Sequence, residues 1–181
     1  AGTNRMYTEE YIKNVLEKAE AGDFVLLQNE INMVGEIIRL SHEKGCRGVF
    51  NASPIPGKPE ELPLELVDIF MVNELEAAAL AGTSTEGDFR DILKALQKKY
   101  PKAAIVMTLG KEGVFYGYKE EFYSHPIFKV NAVDTTAAGD TFCGYFLAAL
   151  CAEKSVETAL REASAASAMA VSAKGAAPSI P

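Results

Sequence analysis

The residues best placed to do chemistry lie in one stretch, Asp134-Thr135-Thr136-Ala137-Ala138-Gly139-Asp140-Thr141-Phe142. Two aspartates flank five small residues, and an apolar helical segment follows directly. Small residues let a ligand come close to the backbone. The amides of Ala138, Gly139 and Asp140 would be the unpaired donors of that helix start. Such a start attracts anions, because its N–H groups point outward and the helix dipole favours negative charge. An aspartate at the same place can take a proton from an alcohol while the amides hold phosphate oxygens. Together these are what a phosphoryl transfer to a hydroxyl requires. The plainer alternative is that Asp140 only caps its helix, since Asp is a favoured capping residue.

Other familiar constellations are missing. Gly57-Lys58 and Gly110-Lys111 are followed by Pro59 and Glu112, so neither completes a Walker A loop. No G-x-G-x-x-G or G-x-S-x-G occurs. His42 and Cys46 stand four apart on a predicted helix but have no further ligands beside them, so a surface histidine and a packed cysteine suffice. The three cysteines (Cys46, Cys143, Cys151) form no C-x-x-C pair and read as reduced thiols of a cytoplasmic protein. The N-terminus shows no basic stretch leading into an apolar core, as a signal peptide would.

The elements that must position these residues alternate. Thr8 to Glu20 is a helical pattern with Ile12, Val15, Leu16 and Ala19 as its apolar stripe and Thr8 as cap. Phe24 to Leu27 is a continuous apolar run, expected for a strand covered on both faces. Helix Met33–Lys44 and strand Gly48–Asn51 follow, then a loop from Pro54 to Pro63 with four prolines, expected on the surface. Strand Asp68–Val72, helices Asn73–Leu80 and Thr85–Tyr100, and strand Ala103–Leu109 come next. Val114–Tyr118 and Glu121–Ser124 read as a hairpin around Gly117, and Asp140 to about Lys174 as two helices broken near 153–155. This is the pattern of βαβ units, so the expected fold is α/β, a three-layer α/β/α sandwich with a mostly parallel sheet, in one domain over residues 1–181. The 181 residues carry 25 acidic and 18 basic side chains, a net charge of −7, which argues against a basic nucleic-acid surface. No apolar run approaches the ~18 residues of a membrane span.

The Asp134–Phe142 segment resembles the second signature of the ribokinase-like (PfkB) carbohydrate kinases, in the form closest to its ribokinase branch. Tyr145 departs from the small residue usual there. The resemblance extends along the chain. Asn73-Glu74-Leu75-Glu76 is similar to the family's Asn-x-x-Glu element, which implies Asn73 near the nucleotide phosphates and Glu76 organising magnesium through water. A solvated helix pair is the ordinary reading of the same residues. Thr108-Leu109-Gly110-Lys111-Glu112-Gly113 resembles the loop lining the ATP site, implying Thr108, Gly110 and Gly113 as nucleotide-binding residues; an ordinary turn would also want the glycines. Ser164 falls where the family places a residue near the adenine, usually Asn or His. Leu26-Leu27-Gln28-Asn29-Glu30 looks like the strand end whose Glu contacts the sugar, so the carry-over falls on Glu30. Lys174-Gly175-Ala176-Ala177-Pro178-Ser179 resembles the C-terminal loop that helps to enclose a potassium ion. By position the implied ligands are Asp134, Thr136, Ala170, Ala173, Gly175 and Ser179, most of them through carbonyls.

The resemblance thus implies an ATP-dependent kinase acting on a primary hydroxyl of ribose or a related sugar, with ATP, Mg2+ and K+. Asp140 would be the general base, and the backbone of Ala137, Ala138, Gly139 and Asp140 would stabilise the moving phosphoryl group. A nucleoside or fructose-phosphate kinase of the same family, or a non-catalytic nucleotide-binding or assembly domain, is the alternative. The family's first signature, Gly-Gly-x-x-x-Asn, and its lid are not found before Ala1-Gly2-Thr3-Asn4. The chain is accordingly expected to be a fragment or separate domain with little or no turnover alone; in the family the lid pairs subunits, so the resemblance leaves a homodimer of the full-length protein open, and the sequence does not fix the oligomeric state.

Overall fold

The structure, a computed structural model, describes residues 2–181. Six strands form one sheet: β1 (Phe24–Gln28), β2 (Arg47–Asn51), β3 (Ile69–Asn73), β4 (Ala104–Thr108), β5 (Val114–Tyr118) and β6 (Glu121–His125). Their order in the sheet is their order in the chain. Six helices accompany them: α1 (Glu9–Leu16), α2 (Val34–Glu43), α3 (Glu74–Ala81), α4 (Phe89–Lys99), α5 (Ala138–Cys151) and α6 (Val156–Val171). β1 pairs with β2 and β2 with β3 in parallel, Phe24 opposite Arg47 and Val49 opposite Ile69. The expected α/β sandwich is what forms. By compactness the chain divides into two units, residues up to 107 with 117–121, and residues 108–116 with 122–181.

In the first unit, the unbroken run Ile69-Phe70-Met71-Val72 is buried throughout, as a strand covered on both faces requires. Phe70 packs edge-on to Phe50 at 6.5 Å and against Tyr100 at 4.9 Å. Leu80 of α3 and Leu96 of α4 are also fully buried. β1 departs from expectation: Leu26 is 42% exposed, so its face is uncovered among the described residues. The α1 stripe is narrower than expected too, with Ile12 and Leu16 buried but Val15 half-exposed, and α1 ends at Leu16. The proline loop is not wholly a surface strip. Pro56 and Pro63 are buried, and short 3₁₀ turns form at Pro59–Glu61 and Leu64–Leu66.

In the second unit, α5 packs against α6, whose small residues Ala159, Ala163, Ala166 and Ala170 are all buried, and Phe142 and Phe146 stack on each other along α5. The hairpin turn, which belongs to the first unit, lies at Lys119–Glu120, where Lys119 takes φ 52°, and not at Gly117. Gly117 sits within β5, where a Cβ would come 2.8 Å from Gln97 Nε2, so close packing, not turning, calls for that glycine. No described helix is long and apolar enough to cross a membrane.

Candidate functional site

Helix starts in this chain are mostly closed by side chains. Thr8 accepts from the Tyr11 amide at 3.2 Å, Asp88 from Arg90 at 2.9 Å and Ser155 from Thr158 at 3.2 Å. α2 and α5 are different: Met33 before α2 lies in the left-handed region at φ 62° and supplies no side-chain cap. Before α5, Ala137 likewise lies in the left-handed region at φ 59° and supplies no side-chain cap. An alanine held there costs about 1–2 kcal/mol, and such strain collects at functional sites. Asp140 is the third residue of the helix, exposed and in the first turn, and is not its cap. The donors are not all open, however. The Ala138 amide reaches back to the Thr135 carbonyl at a long 3.3 Å.

A cleft of about 610 Å³ opens beside this helix start, built wholly from the second unit. Ala138, Gly139 and Phe142 of α5 form one wall, and Ser164, Ser167, Ala168 and Val171 of α6 another. The segment 127–132 and the loop after β4 complete it. Five residues singled out from the sequence thus meet with Ala138 around one space: Thr108, Gly110, Gly113, Ser164 and Gly139. Gly113 has φ 99°, and a Cβ there would run into the His125 carbonyl oxygen with Pro126 Cα at 2.9 Å. The loop can therefore pass so close only as glycine. Ala137 and Asp140 stand beside the cleft in sequence without lining it. Sequence reasoning missed Ile127, Phe128 and Val130, which line the cleft and are exposed at 41%, 40% and 44%. The available signal was an apolar cluster outside any strand or helix.

Of the residues implied as cation ligands, Asp134, Thr136 and Gly175 are joined by hydrogen bonds. The Asp134 carboxylate accepts the Thr136 amide at 2.9 Å and the Gly175 amide at 3.0 Å. The Thr136 hydroxyl, its amide and the Gly175 amide together hold the Asp134 carboxyl below the usual carboxylate range. The amides of Val133 and Asp134 both donate to the Val171 carbonyl. Asp134, Thr136 and Gly175 are thus drawn together, and Ala173 bonds back to Ala170 at the end of α6. Ser179 is buried and donates to the Ala176 carbonyl at 2.7 Å. The Asp134 carboxylate keeps spare lone pairs beyond these two amides, as an oxygen ligand of a hard monovalent cation would need.

Asn73, Glu76 and Glu30 belong to the first unit. Asn73 and Glu76 form a capping box: Asn73 Oδ1 accepts the Glu76 amide at 2.9 Å, and Glu76 Oε2 accepts the Asn73 amide at 2.9 Å. Glu76 is only 8% exposed. No group of three or more His, Cys, Asp or Glu side chains is gathered among the described residues. The one carboxylate at Glu76 suits magnesium, which keeps most of its waters. Glu30 is exposed, two residues past β1, beside Asn29, whose side-chain amide donates to the Pro54 carbonyl at 3.0 Å.

The sequence model described as pfkB family carbohydrate kinase matches residues 3–181. Over 185 aligned residues the chain is 36% identical to the ribokinase of Haemophilus influenzae, covering 100% of this chain and 60% of that protein. The crystal structure of the Thermotoga maritima ribokinase superposes with a TM-score of 0.83 at 33% identity, covering 98% of this chain and 59% of the other. The Arabidopsis thaliana ribokinase, solved in complex with ribose and ATP, gives a TM-score of 0.80 at 31% identity over 96% of this chain and 56% of the other. The chain therefore spans about 60% of the length of the curated relatives it matches.

Proposed function

We propose, because the chain belongs to the pfkB family of carbohydrate kinases, that the whole protein transfers the γ-phosphoryl group of ATP to a hydroxyl of ribose or a related sugar. The observation that carries this reading is the uncapped start of α5 opening on a cleft that also gathers Thr108, Gly110, Gly113 and Ser164. The amides from Ala137 to Asp140 stabilise the negative charge of the moving phosphoryl group. Asp140 takes the proton from the acceptor hydroxyl, whose oxygen then attacks the γ-phosphorus as ADP leaves. Placed in the first turn of α5, its carboxylate is within the region where the helix dipole favours negative charge. Glu76 would hold magnesium through water, and the loop of Asp134, Thr136, Ala170, Ala173, Gly175 and Ser179 would hold potassium. These ions supply charge neutralisation for the phosphates. Glu30 accepts a hydrogen bond from the sugar. A cytoplasmic setting agrees with the three free thiols, Cys46, Cys143 and Cys151.

The test is Asp140→Asn in the whole protein. Sugar-dependent ADP release is expected to fall by about 10²–10⁴-fold, the usual worth of a general base, with ATP affinity nearly unchanged. Unchanged turnover would remove Asp140 from the mechanism. Wild-type protein that binds ATP and never turns over with any pentose or hexose would point instead to a non-catalytic nucleotide-binding module.

A further inference from the structure

We infer, on the reading that the α5 start holds the moving phosphoryl group, that Ser167 of α6 is a positioning residue for the transfer. It acts through the peptide group joining Ala138 to Gly139, aiming and strengthening the Gly139 amide. A hydroxyl in the body of a helix commonly bonds to the carbonyl four residues before it. Ser172 does so at the end of α6, donating to the Ala168 carbonyl at 2.8 Å. Ser167 spends its hydroxyl differently. It leaves its own helix and donates to the Ala138 carbonyl of α5 at 3.0 Å.

Ala138 is the first residue of α5, and its carbonyl shares a peptide group with the Gly139 amide. That group is planar and trans, so its oxygen and its N–H point opposite ways from one rigid plate. Holding the oxygen therefore fixes the direction of the N–H. The second effect is electronic. A donor on the carbonyl draws charge toward the oxygen and leaves the N–H more positive, which strengthens the bond that the N–H gives by roughly 10–30%. The carbonyl has two lone pairs, so it can take Ser167 beside the donor its own helix supplies.

The Gly139 amide is where such control counts. As the second residue of α5 it is among the donors with no partner inside the helix. Gly139 lines the cleft, and nothing stands within 4 Å of the place a Cβ would take. Other restraints on this turn are weak. Ala137 before it is held at φ 59° without a side-chain cap, and the Ala138 amide reaches Thr135 only at 3.3 Å. Any relaxation of Ala137 would swing the first turn, and the bond from Ser167 opposes it. Val171, four residues on and so on the same face of α6, accepts the Val133 amide at 2.7 Å and the Asp134 amide at 3.2 Å. α6 thus braces the approach to α5 and its first turn at two points one helical turn apart.

The experiment compares Ser167→Ala, Ser167→Thr and Ala163→Gly in the whole protein. Measured are the single-turnover rate at saturating ATP, the dissociation constant of ATP and the melting temperature. The acceptor is whichever of ribose, deoxyribose and fructose the wild type phosphorylates fastest. Ser167→Ala is expected to slow transfer about tenfold, less than the ~10²–10³ that loss of a whole oxyanion donor costs. Its ATP dissociation constant is expected to change by less than about twofold, since the interaction is one made in the transition state. Ser167→Thr keeps the hydroxyl and should recover most of the rate. Ala163 is fully buried on α6, and its replacement by glycine loosens the helix without touching the bond, so its rate should stay at the wild-type value. A Ser167→Ala rate within about twofold of wild type overturns the inference and leaves the kinase reading intact. So does an Ala163→Gly variant slowed as much as Ser167→Ala, because general loosening of α6 would then be the cause. A Ser167→Thr variant as slow as Ser167→Ala, yet melting with the wild type, overturns it too. If the wild type phosphorylates none of the three sugars, the kinase reading itself fails and takes the inference with it.

Discussion

At the scale of single residues, two glycines in one loop separate backbone cost from collision. Gly110 has φ 50° and open space around a would-be Cβ, whereas Gly113 has φ 99° and the His125–Pro126 backbone in the way. Gly110→Ala is expected to cost the left-handed penalty alone, about 1–2 kcal/mol. Gly113→Ala must also displace backbone and is expected to cost at least about 3 kcal/mol. Urea midpoints of the two variants check the order, and equal losses would mean that the Gly113 loop relaxes freely. A second residue-scale expectation concerns Asp134. Its carboxyl is held below the ordinary range, so it contributes stability at any pH above the ordinary carboxylate value. That contribution disappears as pH falls through the lowered value. Asp134→Asn, which can accept only one of the two amides, should therefore lower the melting temperature at pH 7. It should also flatten the acid limb of a melting-temperature series below about pH 4. An acid limb as steep as in the wild type would show that Asp134 does not couple the 134–136 and 174–175 loops.

At the scale of elements, the Asn73–Glu76 pair serves two readings that share one spacing. Three residues is the separation of a capping box and of the Asn-x-x-Glu element alike, so the sequence alone could not choose. The structure shows the box formed, with both reciprocal bonds at 2.9 Å. Asn73→Asp keeps a good cap and Asn73→Ala loses it, so only Ala should lower stability, by about 1 kcal/mol. If Asn73 also approaches phosphates, both variants should reduce turnover, and Asp the more because of its charge. Full activity in Asn73→Asp would leave the pair with the capping task alone. Elsewhere, what the sequence disclosed followed the strength of local rules. Thr8 as cap and the buried run Ile69–Val72 were legible because capping and double-sided burial leave marks on residue type. The open face at Leu26 was not, since an apolar run looks the same whether or not anything covers it. Gly117 misplaced the hairpin turn because glycine marks tight packing as well as turns, and the turn itself falls on Lys119. The α5 start was legible as a string of small residues, but the wall at 127–130 was not. Ile127, Phe128 and Val130 signal an apolar cluster outside the regular elements, but that alone does not distinguish a ligand-facing loop from a strand end.

At the scale of the whole molecule, the division into two units would make the proposed nucleotide binding an uneven event. Every residue lining the cleft belongs to the unit of residues 108–116 and 122–181. A ligand that binds only the folded state adds stability as RT ln(1 + [L]/Kd), about 2.7 kcal/mol at a hundred times Kd. That gain is realised first in segments whose opening would destroy the cleft. Hydrogen exchange with saturating ATP and magnesium should therefore slow the amides of 110–114, 138–142 and 164–171 by up to about a hundredfold where they exchange through opening of that unit, the same ratio in rate. The amides of β1 and α2 are coupled to the cleft through no lining residue and should slow less. A cap such as Asp88 on α4 should be indifferent to nucleotide altogether. Uniform slowing over the chain would mean that the units open only together. Slowing confined to α1 and α2 would place the nucleotide elsewhere and leave the α5 start as a strained but idle helix end.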